Sequence, residues 1–220
     1  MKNLNPILVT GADRSGSSII ARVLSMCNVF TGDVNNMYEN IAVYPVHHYI
    51  ADKNTNGCFM PDLKKVKLPK DWKETVSILM KLQGYEQDTP FMYKDSVISQ
   101  LWPMWKTSFP DARWLVVRRK TPDIINSCMQ TGYMKRFKVP YNLNKIGVHS
   151  EYNGWLWWVH QYEERFLEIM EADIQYKTVW PERMADGDYE QMKDIIYWLG
   201  LQWNDKIEYV ITPLLKNRRK

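Results

Sequence analysis

The chain has 220 residues, and 29 Lys+Arg against 25 Asp+Glu give it a formal net charge of +4. Four of those cations lie in the last five residues, which leaves the body with 25 bases and 25 acids. A formally neutral body argues against a general nucleic-acid binder, whose phosphate contacts need a basic face, and 45% hydrophobic with 25% charged residues excludes disorder as the default.

The length suits one substantial core and a single domain. No apolar run approaches the ~18 residues of a transmembrane helix. The first six residues hold no hydrophobic stretch of signal-peptide length. Three cysteines (Cys27, Cys58, Cys128) without metal-ligand spacing point away from a disulfide scaffold or zinc site, so no metal is expected and a cytoplasmic setting is the simplest reading. The 10 Trp and 13 Tyr supply core area and also platforms for flat rings.

Short apolar strands alternate with helical stretches along the chain, which predicts an α/β fold with a central parallel sheet flanked by helices. Residues 6–10 read as a buried first strand. A Gly-rich turn follows, and then a helix over 17–26 with Ile19, Ile20, Val23 and Leu24 at helical spacing. Residues 28–68 have weak periodicity and read as irregular connection with short elements, of the kind that is often functional. Helices are expected over 71–83 and 99–107, and a short strand over 90–93. The best second strand is 112–117, followed by a helix over 121–129 with Thr121 as N-cap and Pro122 at the first helical position. A long amphipathic helix over 151–171 carries Trp155, Trp157, Trp158, Tyr162 and Phe166, expected as core first. A strand over 174–179, a helix over 188–199 stopped by Gly200, and a last helix over 205–215 complete the pattern.

Gly11-Ala12-Asp13-Arg14-Ser15-Gly16-Ser17-Ser18 comes close to the Walker A spacing, in which glycines let backbone N–H groups and a helix N-terminus point at an anion. Ser17, however, stands where a P-loop kinase or ATPase places its lysine, which weakens the case for ordinary ATP or GTP chemistry. The positive charge has moved to Arg14, inside the turn. A Gly/Ser turn that merely caps a helix is the bland alternative.

This loop resembles the 5′-phosphosulfate-binding loop of the PAPS-dependent sulfotransferases, whose consensus [RK]-S-G-[ST]-[ST] is matched by Arg14, Ser15, Gly16, Ser17 and Ser18. A second family motif, a strand then an Arg and a Ser eight residues later, is matched by the stretch from Trp114 to Ser127. The resemblance implies that Arg119 and Ser127 hold the donor's 3′-phosphate. A guanidinium suits phosphate because it can meet it bidentately. Lys120 and Thr121 precede Pro122 where the family has Asp then Pro, so Arg118 stays open as the alternative, with Arg119 preferred on spacing. Leu199-Gly200-Leu201 is similar to the family's C-terminal stretch.

The resemblance further implies a P-loop NTPase-like sulfotransferase fold, PAPS as donor, PAP as product and a small-molecule or carbohydrate acceptor. Sulfonate transfer needs a base, cations at the leaving oxygen and exclusion of water. The implied base is Glu39, after Tyr38 in the connection behind the phosphosulfate loop. His47, His48 and Asp95 are its rivals. Lys94 and Arg14 are the implied cations at the leaving group. His149 and His160 are expected to be structural. Two readings compete with this one: a P-loop nucleoside or nucleotide kinase, and a nucleotide-binding module without catalysis. The basic tail is expected to be a solvated end, although some relatives use such a segment on the 3′-phosphate, which keeps Arg218 and Arg219 in view.

Overall fold

The computed structural model describes residues 5–55, 59–86 and 89–217. Cys58, Arg218 and Arg219 lie outside the described residues. Strands β1 (Ile7–Gly11), β2 (Met92–Lys94), β3 (Arg113–Val117) and β4 (Gln175–Val179) form one parallel sheet in the order β2-β1-β3-β4. Ile7 pairs in register with Met92 on one side and Arg113 on the other, and Arg113 pairs with Gln175. β1 is central and buried throughout, so it needs the continuous apolar run that its sequence supplies.

The helices follow as α1 (Ser17–Met26), α2 (Val43–Thr55), α3 (Trp72–Leu82), α4 (Val97–Gln100), α5 (Trp102–Ser108) and α6 (Thr121–Gln130). They continue with α7 (Pro140–Lys145), α8 (Glu151–Glu171), α9 (Pro181–Ala185), α10 (Glu190–Trp198) and α11 (Lys206–Asn217). Two cores sandwich the sheet, and strand alternation sorts residues between them. Leu8, Tyr93, Trp114 and Val116 face one core with residues of α2 to α6 and α8. Ile7, Val9, Met92, Leu115 and Val117 face the other with residues of α1 and α9 to α11. The result is a single α/β domain, as the alternating pattern predicts. Among the described residues no helix is long and apolar enough to cross a membrane.

Four local expectations need correction. The 28–68 connection contains the 13-residue helix α2, whose buried stripe is Val43, His47 and Ala51. A histidine fills the central inward position and Pro45 sits in the first turn, so the apolar period is hidden. The expected helix over 99–107 is two pieces, broken at Leu101 with φ −119° and ψ 30°. Thr121 is not the N-cap of α6: the first turn closes on the Lys120 carbonyl, which accepts from the N–H groups of Asp123 and Ile124. Finally, α11 runs to Asn217, so the basic segment begins inside a helix rather than after it.

Candidate active site

β1 ends where the chain must turn under β3. A Cβ on Gly11 would lie 2.4 Å from Ser15 Oγ and 2.7 Å from the Val117 carbonyl oxygen, so only glycine fits there. The turn then places Arg14 in the left-handed region at φ 67° and Gly16 at φ 96°. A left-handed arginine is strained backbone that the surroundings must hold. α1 starts at Ser17 with no side-chain cap and no acid in its first turn. The Ile19 N–H bonds back to the Gly16 carbonyl, while the Ser17 and Ser18 N–H groups have no acceptor within the helix and meet the cleft at the positive end of the helix dipole. Ser15 Oγ is buried beneath them without a hydrogen-bond partner. A buried orphan hydroxyl beside free N–H groups is a cradle suited to an oxyanion.

The end of β3 closes over this loop. Arg119 Nη1 donates to the Arg14 carbonyl at 3.0 Å, and its Nε lies 3.6 Å from Glu182. Arg14 Nε donates to Ser127 Oγ at 2.9 Å, and Arg14 Nη1 to the Tyr133 hydroxyl at 3.3 Å. Two motifs more than a hundred residues apart are thus stitched through one arginine. Arg118 turns elsewhere: it pairs with Glu163 and lies over the rings of Phe166 and Trp180 at 5.7 and 5.8 Å. Of the two arginines, Arg119 lines the cleft and Arg118 does not.

Beyond the loop, β2 delivers Lys94. Its Nζ sits 2.9 Å from Glu39 Oε1, with the lysine side chain 4% and the glutamate 15% exposed. Glu39 ends a tight turn in which Asn35 Oδ1 accepts from the N–H groups of Met37 and Glu39, while Asn35 Nδ2 donates to Glu39 Oε2 at 2.9 Å. Both carboxylate oxygens are therefore held.

Asp95, the next residue, is the hub of a buried network. It accepts from His47 Nδ1 at 3.0 Å, His48 Nε2 at 3.1 Å, the Tyr93 hydroxyl at 2.8 Å and the Val97 N–H at 3.1 Å. Trp105 Nε1 donates to His47 Nε2 at 3.0 Å, so His47 must carry its proton on Nδ1 and is neutral. Burial accounts for this as well, lowering the His47 pKa against the pull of Asp95. Burial alone would raise Asp95, but the hydrogen bonds it accepts from His47 and His48 hold its carboxyl well below the usual range. For His48, burial works downward and is outweighed by Asp95, with Glu39 and Asp52 adding to the rise. The Tyr44 ring stacks on His48 at 3.8 Å. Its hydroxyl is pushed up to about 12 by burial first and then by Glu39, Asp95 and other carboxylates.

The nine residues singled out from sequence come from separate stretches and meet at one cleft of about 1420 Å³. Arg14, Ser15, Gly16, Ser17 and Ser18 form its floor beside Arg119 and Ser127, and Glu39 with Lys94 form another wall. The cleft lies outside the carboxyl ends of the strands, where β1 leads to neighbours on opposite sides, the usual ligand position in open α/β sheets. His48 and Asp95 also line it, whereas His47 is fully buried and does not. His149 and His160 are exposed and line no part of it. Three contributors escaped the sequence reading: Asp13, which accepts from Trp158 Nε1 at 3.1 Å, Tyr133 and Tyr44. The i, i+4 pair Tyr44 and His48 was the available signal for the last.

Comparison with solved structures finds the sulfotransferase STF1 from Mycobacterium tuberculosis H37Rv at 14% identity and TM-score 0.53, covering 96% of this chain and 71% of that one. The sulfotransferase STF9 from Mycobacterium avium gives 14% identity and TM-score 0.50, covering 99% of this chain and 69% of that one. The chain has the sulfotransferase fold. No protein-family model and no curated protein matches it. At 14% identity the likeness speaks to the fold alone, so the chemistry of the cleft must be argued from its own side chains.

Proposed function

We propose that the protein is a sulfotransferase that takes a sulfonate from PAPS and passes it to a hydroxyl or amine acceptor by in-line displacement, releasing PAP. The observation that carries the reading is the convergence of the two phosphate motifs and the Lys94–Glu39 pair on one cleft. The residues fit such a donor. The loop offers free N–H groups, the orphan Ser15 hydroxyl and Arg14 to one phosphate, and Arg119 with Ser127 offers a second anion position. When bound, PAPS supplies an activated sulfonate on a phosphate leaving group.

Lys94 and Arg14 then stabilise negative charge growing on the leaving oxygen. Glu39 takes the acceptor's proton. Its ion pair with Lys94 keeps it aimed before the acceptor arrives, and arrival of the sulfonate gives the lysine a second anion to serve. We place the reaction in the cytoplasm, without a metal or a nucleic-acid partner.

The test is thermal denaturation with adenosine 3′,5′-bisphosphate. It should raise Tm without magnesium, while ATP has much less effect. Equal stabilisation by ATP, and only with magnesium, would instead establish the kinase reading. Transfer itself is read by supplying labelled PAPS with a panel of acceptors.

A further inference from the structure

Residues 131–150 form a strap between α6 and α8 that carries Lys135, Arg136, Lys138 and Lys145 and no Asp or Glu. In a body whose bases and acids balance only when these four are counted, this is a concentrated excess. The strap is fixed to the domain. Phe137 is fully buried against Trp155, and Gly154 makes the room, since a Cβ there would lie 2.5 Å from the Phe137 ring. Leu143 and Ile146 pack on the same core. The cations therefore project from an anchored element.

Two of them share a ring. Arg136 and Lys145 both lie 5.5 Å from the Phe59 centroid, and Arg136 also lies 4.3 Å from the Trp158 centroid. Among the described residues, Lys135, Arg136 and Lys145 have no carboxylate partner, and the nearest pairing in the strap is Lys138 with Glu151 at 4.0 Å. Like charges gathered with few carboxylates repel weakly in water, and an anion laid across them is favoured. The donor does not account for these cations, because none of the three lines the cleft. Arg136 and its neighbour Lys135 stand at its rim: Trp158, beneath Arg136, donates to Asp13 of the phosphate loop, and Tyr133 and Met134 line the cleft itself, while Lys145 joins Arg136 over the Phe59 ring. Around them Tyr133 is 70% and Tyr141 71% exposed, and Tyr152 follows in the first turn of α8.

We propose that this strap docks the acceptor, and that the acceptor is an acidic carbohydrate chain whose carboxylates or sulfates meet Lys135, Arg136 and Lys145. The inference rests on the sulfotransferase reading and gives it a substrate class. Exposed tyrosine rings suit the flat faces of sugars, with the hydroxyl edge left to hydrogen-bond. A chain, unlike a small phenol, can lie on the strap while one of its hydroxyls reaches Glu39 and Lys94. Duplex DNA fits less well, since the cations form a short rim patch on a neutral body.

The experiment measures binding of an unsulfated chondroitin hexasaccharide and of a neutral dextran oligomer to the wild type and to the double variant Lys135→Glu/Lys145→Glu. A PAP melting shift on the same samples reports the donor site and the fold. The wild type should bind the acidic chain and not the neutral one, and lose about tenfold in affinity between about 50 and 200 mM salt. The double variant should lose about tenfold or more while keeping the full PAP shift. Unchanged binding by the variant, equal binding of dextran, or tighter binding of duplex DNA or anionic phospholipid vesicles overturns the proposal. An intact PAP shift with no acidic-chain binding sinks the docking surface alone. Absence of the PAP shift in the wild type sinks the sulfotransferase reading, and the acceptor role falls with it.

Discussion

The two ends of the cleft are built on opposite principles. At the phosphate end the groups offered are backbone N–H, one orphan hydroxyl and arginines that touch main-chain oxygen or other side chains. Arg14 to Ser18 follow one another in sequence and the helix start does most of the aiming, with Arg119 and Ser127 brought in from the β3–α6 unit. At the other end Glu39, Lys94, His47, His48 and Asp95 come from a turn, a strand and a helix, and are mostly buried. There the long-range partners matter most: Glu39 holds Lys94 from 55 residues away and the two histidines hold Asp95 from 48 and 47, while the Asn35 turn and the Tyr93 hydroxyl add local support. A site that only binds an anion can be a local motif, whereas one that must hold charges ready to move protons needs the whole fold around it.

The comparison breaks most readily at Asp95, where the largest effect is expected. Asp95→Ala leaves two histidines and a tyrosine facing a hole, and loss of a buried charge partner typically costs about 3–5 kcal/mol. Urea denaturation should show the lowered midpoint. The equivalent change at the phosphate end, Ser15→Ala, removes a hydroxyl with no partner and should leave that midpoint nearly unmoved. If the two substitutions cost the same, the contrast between the ends is wrong.

Next in size is Glu39→Gln, which keeps the hydrogen bond to Asn35 geometrically possible but removes the proposed base and the ion pair. Transfer should fall about 10²- to 10⁴-fold, with the PAP shift retained. Turnover near the wild-type rate would move the base to His48 or Asp95.

The histidines give the contrast a pH signature. The Asp95 pKa is depressed on folding, so its stabilisation is present above the ordinary carboxylate range near 4 and is lost as pH falls through the folded value. The His47 pKa is also depressed, so stability is lost as pH falls below about 6.5, where the unfolded chain takes up the proton first. His48 runs the other way: its pKa is raised, and its contribution is present below about 6.5 and fades as pH rises through the folded value. His48→Asn should therefore steepen the loss of stability between about pH 7 and 5 relative to wild type, as read by urea midpoints across that range. An unchanged or shallower slope would mean that His48 carries no raised pKa.

What could be read from the sequence follows the same divide. The strand, turn and helix from Ile7 to Met26 are legible because propensity, periodicity and glycine positions agree there within twenty residues. The β3–α6 unit is legible for the same reason, apart from which residue begins the helix. The network around Asp95 was not, because its members are polar residues at core positions and only tertiary contacts show why they are there. α2 stayed hidden for one physical reason: His47 occupies the inward position where a periodicity search expects an apolar side chain. Glu39 and Lys94 could be singled out by family likeness, but that one would hold the other at 2.9 Å was beyond any local pattern.

The smallest effects concern the neighbouring arginines, and they sharpen the phosphate end. Arg119 lines the cleft and is held by the Arg14 carbonyl, so Arg119→Ala should weaken PAP binding by about 1.5–3 kcal/mol, the range for a hydrogen bond to a charged group, and remove most of the melting shift. Arg118 has the same chemistry and is one residue away, yet β-strand alternation sends it to Glu163 and two aromatic rings on the far side. Arg118→Ala should leave the PAP shift intact and cost about 0–1 kcal/mol of stability, since its ion pair is partly exposed. If Arg118→Ala abolishes the shift and Arg119→Ala spares it, the register of the strand end is off by one, and the second anion position must be redrawn around Arg118.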